Sequence, residues 1–367
     1  MTHSPTSFLW LILTLLVWAS PVQAQAEAGP FTAKWKDVRF EDSKFDRGKI
    51  IGRIYVPTTQ SEIKESPATE IKPSPLIGFM HGWMAKHQYY DSLALHLASW
   101  GFVVASIGTQ TGQNGNIWDE AKDTQSLMHW VAKQSEDSES WLSGRIAEGD
   151  WGASGHSMGG GACIELIKLE PKVQVIAPLQ PWLDPTMKWS NAAFKALGKW
   201  TGSAWFVAGK LDTVCPSKMV RLGFDQAKSA SRKFFTEFDY LGHVGPINGP
   251  PSHPKLSSSQ KLSLHQQILS RFFRAEILGL EDQYQHLLRP FPHADANVQI
   301  NSCLVPIIWL EKNMLHVVNT AGGKLEVFGA THSADESGKF VIPIPVNHSG
   351  KIQVTAGKFQ SRIITLP

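Results

Sequence analysis

The chain has 367 residues, which is enough for a sizeable hydrophobic core and for more than one domain. Its 35 basic and 32 acidic residues give a formal net charge of +3, which excludes the strongly basic surface typical of nucleic-acid-binding proteins. Its three cysteines are too few for a disulfide framework and are not at metal-ligand spacing. At most one disulfide bridge can therefore form.

The N-terminal segment is predicted to be a signal peptide, residues 1–24. Phe8–Trp18 is apolar apart from Thr14, and this run is too short to span a bilayer comfortably. It is followed by Val22-Gln23-Ala24, a small-residue site of the kind that signal peptidase cleaves. A secreted or periplasmic protein without a stable membrane span is therefore expected. Because the first seven residues contain no Lys or Arg, a membrane-anchoring or buried N-terminal segment is the alternative.

After this leader, strand-like and helical segments alternate. The first two strands, Trp35–Glu41 and Lys49–Pro57, precede a polar, proline-containing loop at Thr58–Ser74. The alternation predicts an α/β fold, in which a mainly parallel sheet carries helices on both faces. The later strands are predicted at Leu76–Met80, Gly101–Ile107, Asp150–Ser154, Val173–Ala177, Ala204–Ala208 and Lys233–Tyr240, and the helices at Tyr89–Ser99, Trp118–Lys133, Ala162–Lys168, Lys218–Lys228 and Gln260–Ile277.

The pattern changes near Arg289-Pro290-Phe291-Pro292, beyond which the sequence contains short β-like runs and no convincing helix. The predicted organisation is a signal peptide (1–24), an α/β catalytic domain (25–289) and a small β-sandwich-like module (290–367). The alternative is that these last strands dock on the first domain and do not fold alone. They are predicted at Val305–Leu310, Leu315–Asn319, Lys324–Phe328, Lys339–Pro345, Lys351–Thr355 and Arg362–Leu366.

The most informative motif is Gly155-His156-Ser157-Met158-Gly159. A serine between glycines at this spacing is typical of a sharp strand-to-helix turn that strains the serine backbone and exposes its hydroxyl. Side chains at positions 155 and 159 would collide in such a turn, so both positions need glycine. The motif therefore predicts an exposed nucleophile, Ser157.

A serine hydroxyl needs a base within hydrogen-bond reach, and the base needs an acid that orients it. Asp212 follows one predicted strand and His243 follows the next, so both lie at the carboxyl ends of neighbouring strands, where open α/β sheets place their sites. The alternatives are a structural serine, a solvated turn aspartate and an ordinary loop histidine. Asp184 is the rival acid, and the weaker candidate bases are His253, His265 and His286.

Acyl transfer also needs donors for the negative charge that develops on the carbonyl oxygen. The backbone N–H of Met158, directly after the nucleophile, is one candidate. The other is the backbone N–H of Trp83 in the loop His81–Met84, after the third predicted strand. We interpret His81 as a structural residue that holds this loop.

With these residues the chain resembles serine hydrolases of the α/β-hydrolase fold. Within that fold it resembles the dienelactone-hydrolase-like branch, which includes bacterial cutinases, poly(ethylene terephthalate) hydrolases, chlorophyllases and platelet-activating-factor acetylhydrolases. The resemblance covers about residues 35–280. The segments that carry it are His81–Trp83 with Leu97–Val104, Gly155–Gly161, Ala177–Trp182 and Ala208–Pro216.

The resemblance implies a mainly parallel eight-stranded sheet and assigns roles to individual residues. Ser157, Asp212 and His243 match the catalytic residues, and the backbones of Trp83 and Met158 match the oxyanion hole. The residues that match substrate-contacting positions are Trp83, Trp182 and Val214; the alternative for Trp182 is a core tryptophan. Glycine at positions 209 and 245 means that this chain lacks the disulfide that joins the acid loop to the histidine loop in some polyester hydrolases.

The leading functional hypothesis is a secreted serine carboxylic-ester hydrolase that forms an acyl-enzyme, a mechanism that needs no metal ion and no organic cofactor. Short-chain or aromatic esters are the expected substrates, as small molecules or as polyesters. A lipid or phospholipid acyl-ester hydrolase and a peptidase are alternatives within catalysis. A non-catalytic binding protein on a hydrolase scaffold is the alternative from another class. The sequence does not specify the oligomeric state.

Overall fold

The computed structural model describes residues 26–59, 72–184, 186, 188–250, 253–289, 291, 297–318, 324–335, 339–345, 350–356 and 359–366. The predicted signal peptide and most of the predicted loop at Thr58–Ser74 lie outside these residues. Within them, no helix combines the length and the apolar character needed to cross a bilayer.

A nine-stranded sheet forms the centre of the molecule, with the strand order β1-β2-β4-β3-β5-β6-β7-β8-β9. Strands β3 to β8 run parallel to one another, whereas β2 is antiparallel to both β1 and β4, and β9 is antiparallel to β8. The strands are β1 Thr32–Asp42, β2 Gly48–Thr58, β3 Leu76–Met80, β4 Val103–Ile107, β5 Trp151–His156, β6 Val173–Leu179, β7 Ser203–Gly209, β8 Arg232–Phe238 and β9 Asn297–Cys303.

The fold is therefore α/β with a mainly parallel sheet, but the expected number of eight strands is wrong. The additional strand is β9, which the chain forms after residue 289. It pairs with β8 from Arg232–Cys303 to Phe238–Asn297 and covers what would otherwise be the edge of the sheet.

Helices cover both faces of the sheet, and alternate residues of each strand face the two layers. In β7, Phe206 belongs to the apolar cluster that includes Leu127 and Ile164, whereas Trp205 belongs to the cluster that includes Leu97 and Phe272. The helices are α1 Asp91–Ser99, α2 Ile117–Glu136, α3 Met158–Leu169, α4 Lys188–Lys199, α5 Ser217–Gln226, α6 Ser258–Glu276 and α7 Tyr284–Leu287, with 3₁₀ turns at His87–Tyr90 and Glu281–Gln283.

Local sequence explains several of these boundaries. The Asn116 side chain accepts a hydrogen bond from the Asp119 N–H at 2.9 Å and caps the start of α2. Ser257 and Gln260 form a capping box at the start of α6. The five residues of β3 are all buried, as expected for an inner strand of a parallel sheet.

The C-terminal strands form small antiparallel sheets. One is three-stranded, with the order β10-β11-β14, and the others are pairs: β12 with β13, β15 with β18, and β16 with β17. The strands are β10 Ile307–Glu311, β11 Met314–Val318, β12 Lys324–Val327, β13 Ala330–Ser333, β14 Lys339–Pro343, β15 Gly350–Ile352, β16 Thr355–Ala356, β17 Phe359–Gln360 and β18 Ile364–Leu366.

These strands have a small apolar core of their own and also pack on the α/β domain. Ile308 and Leu315 belong to a separate cluster within the C-terminal strands. Ile307, Trp309 and Val318 instead belong to the large cluster on one face of the central sheet. The C-terminal region is thus attached through β9 and through this shared core.

Candidate active site

Ser157 lies in the turn between β5 and α3, with φ 57° and ψ −116°. This left-handed backbone is unfavourable for a residue with a side chain, so the surrounding structure must hold it. A Cβ atom at Gly155 would lie 2.5 Å from the Gly159 carbonyl oxygen, and one at Gly159 would lie 2.4 Å from the Met80 carbonyl oxygen. Glycine is therefore required at both positions, as the motif predicts.

The structure brings Ser157, His243 and Asp212 together. The Ser157 Oγ lies 3.0 Å from His243 Nε2, and His243 Nδ1 lies 2.9 Å from Asp212 Oδ2. The His243 side chain is 19% exposed and the Asp212 side chain is fully buried. The three residues come from the turn after β5 and from the loops after β8 and β7, at the carboxyl edge of the sheet.

The Asp212 carboxylate is held by donors on both oxygens. Its Oδ1 accepts hydrogen bonds from the backbone N–H groups of Val214 at 2.9 Å and Cys215 at 2.8 Å. Its Oδ2 accepts from His243 and also from the Gln180 side-chain amide at 3.1 Å. The same amide nitrogen donates to the Gly242 carbonyl at 2.6 Å, so Gln180 ties the acid to the histidine loop.

The rival candidates make other contacts. Asp184 accepts hydrogen bonds from the backbone and hydroxyl of Thr186, which lower its pKa. The His265 Nδ1–H donates to the Lys261 carbonyl at 2.6 Å. The His253 ring stacks on Tyr240 with the ring centroids 4.8 Å apart. His286 is exposed, and the partial desolvation of its ring, with the charges of Arg271 and Arg289, lowers its pKa.

An apolar cavity of about 480 Å³ opens beside the Ser157 side chain. Trp83, Met158, Trp182 and Val214 line it, as do residues 115–117, which sequence reasoning missed. The structure therefore gathers the predicted oxyanion and substrate-contacting residues around the candidate nucleophile. Gly115 and Asn116 belong to the loop after β4, whose glycine-rich sequence gives no apolar signal, and Ile117 is the first residue of α2.

The two tryptophans of the cavity differ in their surroundings. Trp83 is 55% exposed, and its indole N–H donates to the Gln113 carbonyl at 3.1 Å, which holds the ring against the loop after β4. Trp182 is partly buried and packs on the main core as well as lining the cavity. Its backbone N–H donates to the Ser157 carbonyl at 2.8 Å and fixes this loop to the turn that carries Ser157.

His81 holds the loop that carries Trp83. The two ring nitrogens of His81 lie 2.9 Å from the Gly82 carbonyl oxygen and 2.6 Å from the Thr109 carbonyl oxygen. The ring is fully buried, and burial lowers its pKa. These contacts agree with a structural role.

Asp212, Cys215 and His243 place three potential metal-ligating atoms within 4.8 Å of one another. Asp212 and His243 are already joined by a hydrogen bond. Burial, and secondarily the charge of Asp212, raises the pKa of the Cys215 thiol to about 12, which disfavours the thiolate that binds metals. The hydrogen-bonded arrangement therefore accounts for this cluster without a metal ion.

The loops that carry Asp212 and His243 are joined by packing and hydrogen bonds. Cys163, Cys215 and Cys303 are all buried, and no disulfide joins any two of them. A Cβ atom at Gly209 would lie 2.3 Å from the Leu241 carbonyl oxygen, and one at Gly245 would lie 2.6 Å from a Leu241 methyl group. A side chain at Gly209 would therefore overlap backbone atoms, and one at Gly245 would require the Leu241 side chain to move.

Comparison with known proteins places this site in a family. A sequence model of PET hydrolase-like proteins matches residues 19–258, a span that includes Ser157, Asp212 and His243. The chain is 27% identical over 250 residues to the bis(hydroxyethyl) terephthalate hydrolase of Streptomyces coelicolor, and the alignment covers 68% of each chain.

Other relatives cover less of this chain. Cutinase 1 of Thermobifida cellulosilytica is 26% identical over 224 residues, which are 60% of this chain and 75% of the cutinase. Lipase 1 of a Moraxella species is 28% identical over 156 residues, which are 42% of this chain and 44% of the lipase. Because the family model spans well over half of the sequence, the chain belongs to the PET hydrolase-like family.

Proposed function

We propose that this protein is a serine carboxylic-ester hydrolase that acts through an acyl-enzyme. The observation that carries the proposal is the hydrogen-bonded series Ser157, His243 and Asp212 beside an apolar cavity. A nucleophile, a base and an orienting acid in contact are the apparatus of acyl transfer.

In the first step the Ser157 Oγ attacks the ester carbonyl carbon while His243 Nε2, 3.0 Å away, takes the hydroxyl proton. Asp212 accepts the hydrogen bond of His243 Nδ1–H, fixes this tautomer and stabilises the imidazolium that forms. The imidazolium then returns the proton to the leaving alkoxide, and the acyl group stays on Ser157. Water, activated by His243, releases the acid and restores the serine.

The negative charge of the tetrahedral intermediate needs two donors. The backbone N–H groups of Trp83 and Met158 belong to residues that line the cavity beside Ser157. Among the residues that the structure describes, neither N–H donates to another protein atom, so both are free for an oxyanion. Each such donor contributes about 3 kcal/mol to transition-state stabilisation.

Short-chain or aromatic esters, including polyesters, are the proposed substrates. The cavity is apolar, and two of its walls are tryptophans, which suits an aromatic or short aliphatic acyl group. Two residues of the cavity lining, Trp83 and Val214, are exposed, and so are apolar side chains next in sequence to site residues: Met84, Trp118, Leu211 and Val244. An apolar rim of this kind favours contact with an insoluble ester. The names of two relatives, a bis(hydroxyethyl) terephthalate hydrolase and a cutinase, agree with this class.

A lipid or phospholipid acyl-ester hydrolase is the second candidate, and the similarity to a Moraxella lipase favours it. The same triad would serve both activities, and the acyl chain length would differ. We also propose secretion or export to the periplasm, on the basis of the apolar leader and the cleavage site after Ala24. The proposed chemistry uses no metal ion or organic cofactor.

Labelling with a fluorophosphonate and hydrolysis of p-nitrophenyl esters of graded chain length test the proposal. The wild-type chain should react covalently with the probe and cleave the short esters fastest. Ser157→Ala should lose both reactions, with turnover reduced by roughly four orders of magnitude or more. Ser43→Ala, which changes an exposed serine away from the cavity, is the control. A wild-type chain that neither reacts with the probe nor cleaves any ester would support a binding protein instead, and a preference for long acyl chains would favour the lipid hydrolase.

A further inference from the structure

A continuous hydrogen-bonded chain runs behind the candidate nucleophile. The Tyr90 hydroxyl oxygen lies 3.0 Å from the Gly82 backbone nitrogen and 2.8 Å from His156 Nδ1. On the other side of the ring, His156 Nε2 lies 2.7 Å from the carbonyl oxygen of His243. The chain therefore connects the residue before Trp83 to the backbone of the candidate catalytic histidine.

The two ends of this chain fix the direction of every hydrogen bond in it. The Gly82 N–H can only donate, so the Tyr90 hydroxyl accepts from it. The His243 carbonyl can only accept, so the proton of neutral His156 must be on Nε2. His156 Nδ1 is then an acceptor, and the Tyr90 O–H donates to it. One hydroxyl thus determines the tautomer of His156.

The surroundings keep both side chains neutral. Tyr90 and His156 are 1% and 4% exposed. Burial lowers the pKa of His156 well below its ordinary value, and the charges of His243, His265 and Lys261 act in the same direction. Burial also raises the pKa of Tyr90, to which the charge of Glu120 adds. The hydroxyl proton therefore stays on Tyr90, and the ring proton stays on His156 Nε2.

Close packing leaves little room for another arrangement. A Cβ atom at Gly82 would lie 3.2 Å from both the Tyr90 hydroxyl oxygen and His156 Nδ1, and 3.4 Å from the Ser157 Cβ. The rings of His156 and His243 have centroids 4.7 Å apart at an interplanar angle of 43°. A change in the His156 tautomer would remove the donor from the His243 carbonyl and disturb the ring that faces Ser157.

We propose that Tyr90 and His156 are positioning residues that couple the oxyanion loop to the catalytic histidine. This proposal depends on the hydrolase function proposed above. The Tyr90 hydroxyl aligns Gly82, and with it the Trp83 N–H, and sets the His156 tautomer. His156 in turn holds the backbone of His243, so that the Nε2 atom of His243 stays directed at Ser157 in each turnover.

Tyr90→Phe is the first test, because it removes only the hydroxyl. The kcat on a p-nitrophenyl ester should fall about tenfold while KM stays within about twofold, since the substrate cavity is unchanged. Tyr89→Phe makes the same chemical change at the neighbouring, exposed tyrosine and should alter neither constant. If the two variants behave alike, the proposal is wrong.

His156 is tested with two variants that differ in hydrogen bonding. His156→Gln keeps one acceptor and one donor, whereas His156→Leu keeps side-chain volume alone. The Gln variant should retain at least about fivefold more kcat than the Leu variant. Adding Tyr90→Phe to His156→Leu should cause no further loss, because both substitutions break one chain. Equal kcat for Gln and Leu, or additive losses in the double variant, would refute the coupling.

A measurement without substrate separates this proposal from the proposed function. In ¹⁵N-histidine NMR, with His156→Gln used to assign the signal, wild-type His156 should show the Nε2–H tautomer from about pH 5 to about pH 9. Tyr90→Phe should show a mixture of tautomers. An Nδ1–H tautomer in the wild type would refute the chain whether or not the protein hydrolyses esters. An expected tautomer in a protein without esterase activity would instead refute the hydrolase function.

Discussion

At the scale of single residues, Glu120 is a carboxylic acid enclosed in the core beside the loop that carries Trp83. Its side chain is 0% exposed, and Oε1 lies 3.6 Å from His81 Nδ1. Neither carboxyl oxygen has a hydrogen-bond partner among the described residues. Burial raises the pKa of Glu120 well above its ordinary value. The backbone N–H of His81 opposes this shift, and the charge of Asp123 adds to it. Its protonation is therefore linked to folding.

The raised pKa predicts that Glu120→Gln stabilises the protein increasingly as pH rises. Between the unfolded and folded pKa values the native state binds one more proton than the unfolded state, so wild-type stability falls as pH rises through that window. The variant does not ionise and should gain about 1.4 kcal/mol relative to wild type for each pH unit of the window. Urea unfolding at about pH 5 and about pH 8 measures the difference. Glu136→Gln, at an exposed position of the same helix, is the control.

The residues of the candidate site that could be predicted are those that a local sequence pattern identifies. Ser157 has its glycine motif, and Asp212 and His243 each follow an apolar strand. Gln180 and Tyr90 were missed because their roles arise only in three dimensions. Gln180 reaches Asp212 from a backbone with φ 44°, and Tyr90 meets His156 across 66 positions of the sequence. Neither residue lies in a local pattern that differs from ordinary loop or core sequence.

At the scale of elements, the short apolar strands and several helices were predicted close to their observed bounds, whereas one helix and one polar strand were missed. Leu76–Met80 was predicted with its observed bounds because an inner parallel strand is apolar throughout. Helix α4, Lys188–Lys199, was missed, although Ala193 and Leu197 are buried at helical spacing. Strand β9, Asn297–Cys303, was missed because its polar composition gives little β signal and β8 supplies its pairing.

The packing between the loops after β7 and β8 predicts how a disulfide introduced between them would change stability. Gly209→Cys with Gly245→Cys should destabilise the protein, by about 1–3 kcal/mol from overpacking, instead of stabilising it. The reason is that Leu241 occupies the space that both new side chains need, at 2.3 Å and 2.6 Å from the two Cβ positions. Thermal unfolding of the single and double variants, with and without reductant, measures the effect. A double variant that melts higher than wild type only when oxidised would contradict this packing argument.

At the scale of the whole molecule, the C-terminal region completes the α/β domain as well as having a core of its own. Strand β9 covers β8. Arg232, buried in β8, forms ion pairs with Glu276 at 2.9 Å and Glu281 at 2.6 Å, and donates to the Pro306 carbonyl at 2.8 Å. The domain boundary predicted at residue 289 therefore falls between two regions that share the central sheet and one apolar core.

Removing the C-terminal region should therefore destabilise the domain that carries the triad. A chain of residues 25–289 loses β9 and exposes β8 as an edge strand. It also loses the burial of Ile307, Trp309 and Val318 against the central sheet. At about 1.5–3 kcal/mol for each buried apolar side chain, this loss is comparable to the net stability of a whole domain. We expect aggregation, or a melting temperature at least about 10 °C below that of residues 25–367.

A chain of residues 25–303 distinguishes the two contributions, because it keeps β9 and loses the shared core. Its melting temperature should lie between those of the other two chains, with ester hydrolysis retained below that temperature. If the two shortened chains have the same melting temperature, β9 contributes nothing as a cover for β8, and the shared core accounts for the whole loss of stability. If residues 25–289 match the full chain in melting temperature and activity, the C-terminal strands are an independent module and the docking contacts contribute no measurable stability.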